Sequence, residues 1–301
     1  MAIQWRDDRI EGAAVVIGIF DGVHLGHQLL LEHARSLNPN VVALTFYPHP
    51  TALLAPEKEP TYLLTLADRV LQLRLNGADS VAIAPFTEDF ARLTAEEFID
   101  SILIEQLHAA QIVVGENFRF GAKAQGSVET LRARSEFFTD VVTLASQEEE
   151  IVSSTRIRAL IREGQVVSAA ELLTRPHQVV GEVIHGEKRG REIGYPTANI
   201  GYDSNATIPR DGIYAGWLSV DTRRWQAAIS VGRNPHFPGD RPVQVEAFAI
   251  DVEDEDLDLY GEMARVEFGY RLRDTLAFAS LDQLLVQMRI DVDEARKLTS
   301  S

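Results

Sequence analysis

The chain has no cysteine among its 301 residues. A chain without thiols forms no disulfide, no thiolate metal site and no covalent cysteine intermediate. It also lacks any apolar run that approaches the about 18 residues needed to cross a membrane, and its N-terminus shows no basic segment followed by an apolar one. We therefore expect a soluble, cytoplasmic protein without a membrane partner.

Basic residues are outnumbered, with 29 Lys and Arg against 45 Asp and Glu and a net charge of −16. Surfaces that bind nucleic acid use many cations to neutralise phosphates, so we expect no nucleic-acid partner. Small anionic substrates are still compatible with this balance where cations cluster locally. Two such clusters occur, the first comprising Arg156, Arg158 and Arg162 and the second Lys188, Arg189 and Arg191.

The two common glycine-rich phosphate motifs, GxGxxG and GxxxxGK[ST], are missing as well. The segment 18–27, GIFDGVHLGH, offers other groups. An apolar strand predicted over 14–20 breaks at Asp21 and leads into a helix predicted from about Gly26 to Arg35.

His24 and His27 are three residues apart at the start of this helix, near its free backbone N–H groups and the positive end of its dipole. Gly26 lets a phosphate oxygen approach the backbone closely. The segment therefore predicts a phosphate site, and the alternative is a pair of polar residues on the first turn of an exposed helix.

The N-terminal half alternates short apolar strands with helices, which predicts an α/β domain with a Rossmann-like parallel sheet covered on both faces. Helices are expected to begin at Thr65, Thr94 and Ser127, the first two with capping boxes. Beyond the first, the predicted strands are Val41 to Phe46, Ser80 to Pro85, Gln111 to Gly115 and Asp140 to Leu144.

Four unusual segments each follow a predicted strand. Because ligands bind beyond the carboxyl ends of parallel strands, we expect these segments to line one crevice. The alternatives are structural: Pro48-His49-Pro50 as a rigid loop, Phe118 and Phe120 as core, and Ser154 and Thr155 as helix caps. The segments are His24 to His27, Pro48 to Pro50, Asn117 to Gly121 and Ser153 to Arg158.

The pattern changes near Pro176, which predicts one domain over residues 1–176 and another over 177–301. Closely spaced strands without long helices predict an antiparallel β-barrel, followed by an amphipathic helix from Ser280 to about Lys297. The predicted barrel strands are His177 to His185, Gly212 to Val220, Trp225 to Val231, Val243 to Asp251 and Met263 to Arg271.

A second phosphate loop is predicted at 186–191, where backbone N–H groups and cations lie close together. Thr197 and Asn199 share one face of the following extended segment and offer oxygens that suit Mg²⁺ or phosphate. On a later strand, alternation places Glu246 with Gln244, Phe248 and Ile250, so a partly buried general base is one interpretation. The alternatives are a surface hairpin and an exposed strand glutamate.

The N-terminal motifs, in order GxFDGxHxGH, TFxPHP, GxNFRFG and SSTxIR, resemble those of the adenylyltransferase module of bacterial bifunctional riboflavin kinase/FAD synthetases; HxGH alone is the signature of the nucleotidyltransferase superfamily. The resemblance implies that His24 and His27 are catalytic. It further implies ATP binding by Gly18, Phe20, Asp21, Gly26, Ser154, Thr155 and Arg158, and flavin binding by Pro48, His49, Pro50, Asn117 and Phe118.

The segment Gly186 to Asn199 is similar to the GxxxGRxxGxPTAN signature of riboflavin kinases. The resemblance implies that Glu246 takes the proton from the ribityl 5′-hydroxyl, and that Thr197 and Asn199 hold Mg²⁺. The implied ATP-binding residues are Gly186, Lys188, Gly190, Arg191, Pro196, Thr197 and Asn199. The chain departs from the family pattern at His236, where threonine is usual, at Ala277, where a basic residue is usual, and at Thr174 in the linker.

The resemblance implies a Mg²⁺-dependent bifunctional enzyme that uses ATP to convert riboflavin to FMN and a second ATP to convert FMN to FAD, and it is compatible with a homo-oligomer. A second hypothesis, motivated by His236 and Ala277, is an adenylyltransferase whose barrel binds flavin without kinase activity. A third is an RNA-associated or regulatory flavin sensor, which the acidic balance disfavours.

Overall fold

The computed structural model describes residues 2–143, 146–147, 150–186, 193–233, 243–252 and 259–300. The chain forms two compact units, the first comprising Met1–Pro60 and Leu64–Ser154 and the second Thr61–Leu63 and Thr155–Ser301. The functional boundary predicted at 176/177 stays a prediction. No helix within the described ranges has the length and apolar character needed to cross a membrane.

The first unit is built on a six-stranded sheet in the order β1-β4-β3-β2-β5-β6. All its strands run parallel except β1, which pairs antiparallel with β4 at one edge. Without β1 the order is β4-β3-β2-β5-β6. Numbered from the first parallel strand, this is the order 3-2-1-4-5 of a doubly wound α/β fold, so the predicted fold class is confirmed. The strands are β1 Gln4–Trp5, β2 Ala14–Ile17, β3 Val41–Tyr47, β4 Ser80–Pro85, β5 Gln111–Gly115 and β6 Phe138–Val142.

Helices cover both faces of this sheet because alternate strand residues face opposite sides. Val15 and Val42 belong to one apolar core, whereas Val16 and Ala43 belong to the other. The helices are α1 Leu25–Leu37, α2 Pro50–Leu54, α3 Leu66–Leu75, α4 Glu88–Arg92, α5 Ala95–Phe98 with a π-helical continuation over Ile99–Ile104, and α6 Val128–Arg132.

The helix starts follow the predicted caps. The Thr65 side chain accepts a hydrogen bond from the Asp68 N–H, and Thr94 forms a full capping box with Glu97. The strand predicted at 140–144 lies instead at Phe138–Val142, because pairing with β5 rather than local pattern sets its limits.

A short two-stranded ladder of β7 Ser146–Gln147 and β8 Glu150–Ile151 is separate from the main sheet. The sequence analysis expected the segment Ser153 to Arg158 to follow a strand of the parallel sheet. This expectation was wrong, because the segment follows β8, which lies outside that sheet. Antiparallel pairing with β7 gives β8 its partner.

The second unit is a closed six-stranded barrel in which all neighbours are antiparallel, in the order β10-β13-β12-β11-β14-β9. The predicted barrel is confirmed, and β10 is a strand that the sequence analysis missed. The strands are β9 His177–Ile184, β10 Ala198–Tyr202, β11 Gly212–Val220, β12 Arg223–Gly232, β13 Gln244–Ala249 and β14 Met263–Arg273.

The predicted terminal helix is present, and the helices among the described residues of this part of the chain are α7 Ser154–Arg162, α8 Val166–Leu173 and α9 Leu281–Thr299. Helix α9 packs on the outer face of the barrel, where Val292 and Ala295 join a cluster with Ala215 and Phe248. A buried ion pair holds it there, since Arg273 Nη2 of β14 lies 2.6 Å from Oδ2 of Asp291.

Candidate functional site

The loop after β2 makes a strained turn into α1. Phe20, Gly22 and Val23 have φ values of 55°, 88° and 40°, a left-handed conformation that a β-branched residue such as Val23 rarely adopts. The Gln28 side chain holds the turn by donating to the Val23 carbonyl at 2.9 Å. Gly18 lies at the end of β2, where its N–H donates to Leu44 O at 3.1 Å. Strain of this kind is typical of a functional site.

The turn stacks the two predicted catalytic imidazoles. The ring centroids of His24 and His27 are 3.7 Å apart at an interplanar angle of 18°, and Phe20 places its ring edgewise against His27 at 5.2 Å. His24 is the N-cap of α1, but its side chain makes no capping hydrogen bond. A Cβ on Gly26 would lie 3.3 Å from Cε1 of His24, so a side chain there would crowd the ring.

The pKa of His27 is lowered well below its ordinary value of 6.5, first by burial, then by His24 and then by Arg69. Its Nδ1 atom is buried and has no hydrogen-bond partner among the described residues. A buried polar atom of this kind is stabilised when a ligand supplies a partner. His27 is therefore suited to donate or accept a hydrogen bond as a neutral ring.

Asp21 joins this loop to two other segments. It is 1% exposed, its carbonyl accepts a hydrogen bond from Ser154 Oγ at 2.7 Å, and its Oδ1 accepts one from Leu64 N at 3.3 Å. Thr45, fully buried at the end of β3, donates to the Ile19 carbonyl at 2.9 Å. Ser154 thus contacts the loop between β2 and α1, which carries His24, although β8 lies outside the sheet.

The predicted flavin-binding loops follow β3 and β5, the two neighbours of β2. Pro50 begins α2, and His49 is its N-cap, with Nδ1 accepting from Thr51 N at 3.2 Å. Pro48 is exposed before it. The segment is therefore a capped helix start rather than an irregular loop, because proline is favoured at the first helical position.

The loop after β5 exposes Asn117 and half-buries Phe118. The Phe118 ring stacks on that of Phe120 at 5.5 Å, and Phe120 belongs to the apolar core. Core packing thus accounts for Phe120. Since β3, β2 and β5 are adjacent and parallel, their three loops emerge at one edge of the sheet.

Thr155 and Arg158 belong to the second unit. Thr155 is exposed, whereas Arg158 is 7% exposed and donates through Nε to the Thr61 carbonyl at 2.6 Å. Arg162 donates to the Thr61 hydroxyl at 3.0 Å. The predicted role of Thr155 and Arg158 in binding ATP phosphates stays a prediction.

Arg69 is a residue that the sequence analysis missed. It lies on α3, is 1% exposed, donates through Nη1 to the Phe46 carbonyl at 3.3 Å and contributes to the lowered pKa of His27. Nothing in the local pattern distinguishes it from Arg74 on the same helix, which is exposed. Only the fold reveals that one of the two arginines is buried.

In the second unit, strand register brings together residues far apart in the sequence. Glu246 on β13 lies directly opposite Asn199 on β10 and Ser230 on β12. Their neighbours Val245 and Ile200 are buried inside the barrel, so these three residues lie on its outer face. The predicted face of Glu246 is confirmed.

Gly186 lies against the side chain of Asn199. A Cβ at this position would be 2.3 Å from Nδ2, so glycine is required for the amide to lie where it does. Pro196 and Thr197 are half-buried, and the ring centroids of Tyr195 and Phe248 are 5.2 Å apart. The predicted residues Lys188, Gly190 and Arg191, and the departure at His236, lie outside the described residues.

Across the described ranges, no group of three or more His, Cys, Asp or Glu side chains could hold a metal ion. Thr197, Asn199 and Glu246 supply hydroxyl, amide and carboxylate oxygens. A small number of oxygen ligands suits Mg²⁺, because this ion usually keeps several bound waters and takes further ligands from substrate phosphates. The donor set therefore fits Mg²⁺ better than a transition metal.

Comparison with known proteins gives matches in both units. A family model described as FAD synthetase matches residues 7–156, and one described as riboflavin kinase matches residues 173–299. A bifunctional riboflavin kinase/FMN adenylyltransferase of Listeria monocytogenes is 33% identical over 97% of this chain and 93% of its own length. The protein of that description from Escherichia coli K12 is 35% identical over 95% of this chain and 93% of its own.

A solved structure described as a macrolide-efflux protein from Streptococcus pneumoniae is 33% identical, with a TM-score of 0.86 over 97% of this chain and 96% of that one. The curated relatives span both units and carry one shared description. The chain belongs to the family of bifunctional riboflavin kinase/FMN adenylyltransferases.

Proposed function

We propose that this chain phosphorylates riboflavin to FMN with ATP and adenylylates FMN to FAD with release of pyrophosphate. The observation that carries the proposal is the pair of sites: stacked imidazoles beside the central strands of a doubly wound sheet, and Glu246 opposite Asn199 on a barrel. The two half-reactions match the descriptions of the two family models and of the curated relatives.

In the adenylyl transfer, a phosphate oxygen of FMN attacks the α-phosphorus of ATP and the bond to the bridging oxygen of pyrophosphate breaks. Charge grows on oxygens around phosphorus, so alignment and fixed hydrogen-bond donors account for most of the catalysis. His24, His27 and the N-terminus of α1 are the donors that we assign. Ser154, joined to Asp21, extends this surface toward the triphosphate.

The flavin end of FMN is assigned to the adjacent loops. Asn117 is exposed at the end of β5, and Pro48, His49 and Pro50 follow β3. Phe118 presents a half-buried ring. An aromatic ring and an exposed amide suit a planar heterocycle with polar edges.

In the kinase reaction, the ribityl 5′-oxygen attacks the γ-phosphorus of ATP, ADP leaves, and Glu246 accepts the hydroxyl proton. Asn199 and Thr197, with Gly186 beside them, would hold phosphate oxygens and Mg²⁺. Bound Mg²⁺ would neutralise charge on the phosphates. Asn199 and Glu246 lie on one outer face of the barrel, and Gly186 lies against the Asn199 side chain, which supports a single site there.

The proposal includes riboflavin, FMN and ATP as partners, a cytoplasmic location and a functional division at 176/177. The riboflavin kinase match begins at residue 173, close to that division. Within the first unit, α1 and the loops after β2, β3 and β5 carry the assigned groups.

The test is chromatographic analysis of flavin products after incubation of purified protein with riboflavin and MgATP. We expect both FMN and FAD. His27→Ala should stop FAD formation and spare FMN formation, whereas Glu246→Gln should stop FMN formation and spare FAD made from supplied FMN.

His33→Ala is the matched control, because His33 is a partly exposed histidine on α1 that bonds Asp140 at 3.0 Å. It should leave both products unchanged. A folded His27 or Glu246 variant that loses both reactions equally would contradict separate sites. A wild-type protein that makes FAD from FMN but no FMN or ADP from riboflavin would contradict the kinase assignment.

A further inference from the structure

The turn between β2 and α1, residues 18–24, has a backbone that is costly to hold. Phe20 and Val23 have left-handed φ values of 55° and 40°, and neither is glycine. A non-glycine residue in this region costs on the order of 1 to 3 kcal/mol and persists only where its surroundings over-determine the conformation. The neighbouring elements must therefore supply the contacts that keep this turn.

Side chains from separate elements bind alternate carbonyls of the turn. Thr45 Oγ1 of β3 donates to Ile19 O at 2.9 Å, and Ser154 Oγ donates to Asp21 O at 2.7 Å. Thr45 is fully buried, so its side chain acts on the turn and not on a substrate. The turn is thus held at two of its peptides by residues from other parts of the chain.

Gln28 holds the turn at its other end, beside His24. Its Nε2 donates to Val23 O at 2.9 Å, and its own N–H donates to His24 O at 3.0 Å. One residue therefore binds the carbonyls on both sides of the His24 Cα. Because a peptide is planar and trans, fixing the Val23 carbonyl also fixes the direction of the His24 N–H. The orientation of His24 at the N-cap of α1 thus depends on the Gln28 amide.

The two imidazoles that follow this turn are closely packed. The ring centroids of His24 and His27 are 3.7 Å apart at an interplanar angle of 18°, and a Cβ on Gly26 would lie 3.3 Å from Cε1 of His24. Catalysis by alignment is sensitive to displacements on the order of 1 Å. A turn that relaxed toward ordinary φ values would displace both rings by altering the start of α1.

We propose that Gln28 and Thr45 are positioning residues for adenylyl transfer. By holding the carbonyls of Val23 and Ile19, they keep the left-handed turn that sets the stacked imidazoles. The inference rests on the proposed adenylyltransferase function and concerns the same site. Each residue acts through a backbone carbonyl, so the reaction requires the hydrogen-bond donor rather than the bulk of the side chain.

Substitutions at the two positions separate the hydrogen bond from the packing. Gln28→Met keeps the length of the side chain and removes the donor. Thr45→Val keeps the shape of the side chain and removes the hydroxyl, whereas Thr45→Ser keeps the hydroxyl.

Gln106→Met is the matched control. Gln106 Nε2 donates to the Ser101 carbonyl at 3.0 Å, five residues earlier in the chain, which is the spacing from Gln28 to Val23. Its Oε1 accepts from the N–H of Ile3, just before β1. The control therefore removes a bond of the same kind from a different part of the unit.

The measurement is kcat and KM for FAD formation from FMN and MgATP, with riboflavin phosphorylation as the internal reference. Gln28→Met and Thr45→Val should lower kcat by about 10-fold or more and change KM little, because they misplace reacting groups without removing a substrate contact. Thr45→Ser should restore most of kcat, and Gln106→Met should keep the wild-type value. FMN formation from riboflavin should be unchanged in all four variants.

NMR of ring-labelled histidine reports on the turn without any turnover. Because the two rings are stacked, each shifts the signals of the other. The signals of His24 and His27 should move in Gln28→Met and stay in place in Gln106→Met.

A folded Gln28→Met protein with wild-type kcat would overturn the proposal, as would an equal loss in Gln106→Met. If circular dichroism shows Gln28→Met unfolded, the Thr45 pair decides, because a loss in folded Thr45→Val that Thr45→Ser restores supports the proposal and equal activity of the two contradicts it. A wild-type protein that makes no FAD would instead refute the proposed function, and the histidine signals would still decide whether Gln28 sets the rings.

Discussion

The ring of His27 is held in surroundings that all oppose a positive charge. Burial has the largest effect on its pKa, followed by His24, stacked against it at 3.7 Å, and then by Arg69. The native protein therefore keeps this ring neutral at pH values where the same side chain in the unfolded chain takes up a proton. The site and the stability of the fold are linked through this one group.

The lowered pKa of His27 predicts how the free energy of unfolding changes with pH. Below pH 6.5, the ordinary pKa of histidine, the unfolded chain gains a proton at His27 that the native protein does not. The free energy of unfolding should fall with decreasing pH by up to about 1.4 kcal/mol per pH unit from this group, until the lowered native pKa is reached. Urea denaturation at several pH values between 5 and 8 measures it. His27→Gln should reduce the slope by one proton, and an unchanged slope would contradict the assignment.

Gly186 offers a second prediction at this scale. Its Cα lies so close to Asn199 that an alanine Cβ would be 2.3 Å from Nδ2 and 2.6 Å from Cγ. Gly186→Ala should displace the amide and lower FMN formation by at least about 10-fold while FAD formation from supplied FMN persists.

A double-mutant cycle with Asn199→Ala checks that reason. If the methyl group acts by displacing the amide, the two substitutions together should cost little more than Asn199→Ala alone. Additive losses in kcat/KM would show that Gly186 acts on a different group.

At the scale of helices and strands, α9 depends on a buried ion pair. Asp291 is 7% exposed and Arg273 is 18% exposed, and the carboxylate receives both Nε and Nη2 of the guanidinium. Asp291→Asn should cost about 2 to 4 kcal/mol, because it leaves a largely buried charge without its counterion. It should also lower FMN formation, since α9 packs on Phe248 beside Glu246.

Asp293→Asn is the matched control, because Asp293 lies on α9 two residues after Asp291. Its carboxylate is 66% exposed and pairs with Arg296, so its loss should cost no more than about 0.5 kcal/mol. Thermal unfolding followed by circular dichroism compares the two variants. Equal effects would show that the buried pair contributes nothing specific.

The sequence predicts the elements with strong periodicity and misses those defined by distant partners. The buried runs 14–17 and 41–46 are apolar except at Thr45, which predicts central parallel strands. Strand β10 is short and begins two residues after Pro196, so its strand character comes from pairing with β9 and β13. Helix α8 was likewise not predicted.

The residues of the two candidate sites show the same difference between local patterns and distant partners. Local motifs single out His24, His27 and the loops after β3 and β5, and the doubly wound order explains why these loops share an edge. No local pattern places Glu246 opposite Asn199, because closure of the barrel sets that register. The burial of Arg69 is likewise a tertiary effect, since helical position alone leaves its exposure undetermined.

At the scale of the whole molecule, the two reactive groups belong to different units. His27 lies in the unit that contains the parallel sheet, and Glu246 lies in the barrel. Each unit has its own apolar core, so a substitution in one need not disturb the other. In the proposed function, FMN is the product of the barrel reaction and the substrate of the other reaction, so we expect it to pass through solution from one unit to the other.

A mixture of two inactive variants should therefore make FAD. His27→Ala alone should stop at FMN, and Glu246→Gln alone should leave riboflavin unchanged, but equal amounts of both with riboflavin and MgATP should yield FAD after a lag. The lag arises because FMN must build up in solution before the second protein binds it. Chromatography of the flavins over time measures both, and the lag should shorten as total protein rises. A mixture that accumulates FMN without FAD, when Glu246→Gln makes FAD from added FMN at that concentration, would show that FMN stays bound to the His27→Ala protein and is not released into solution.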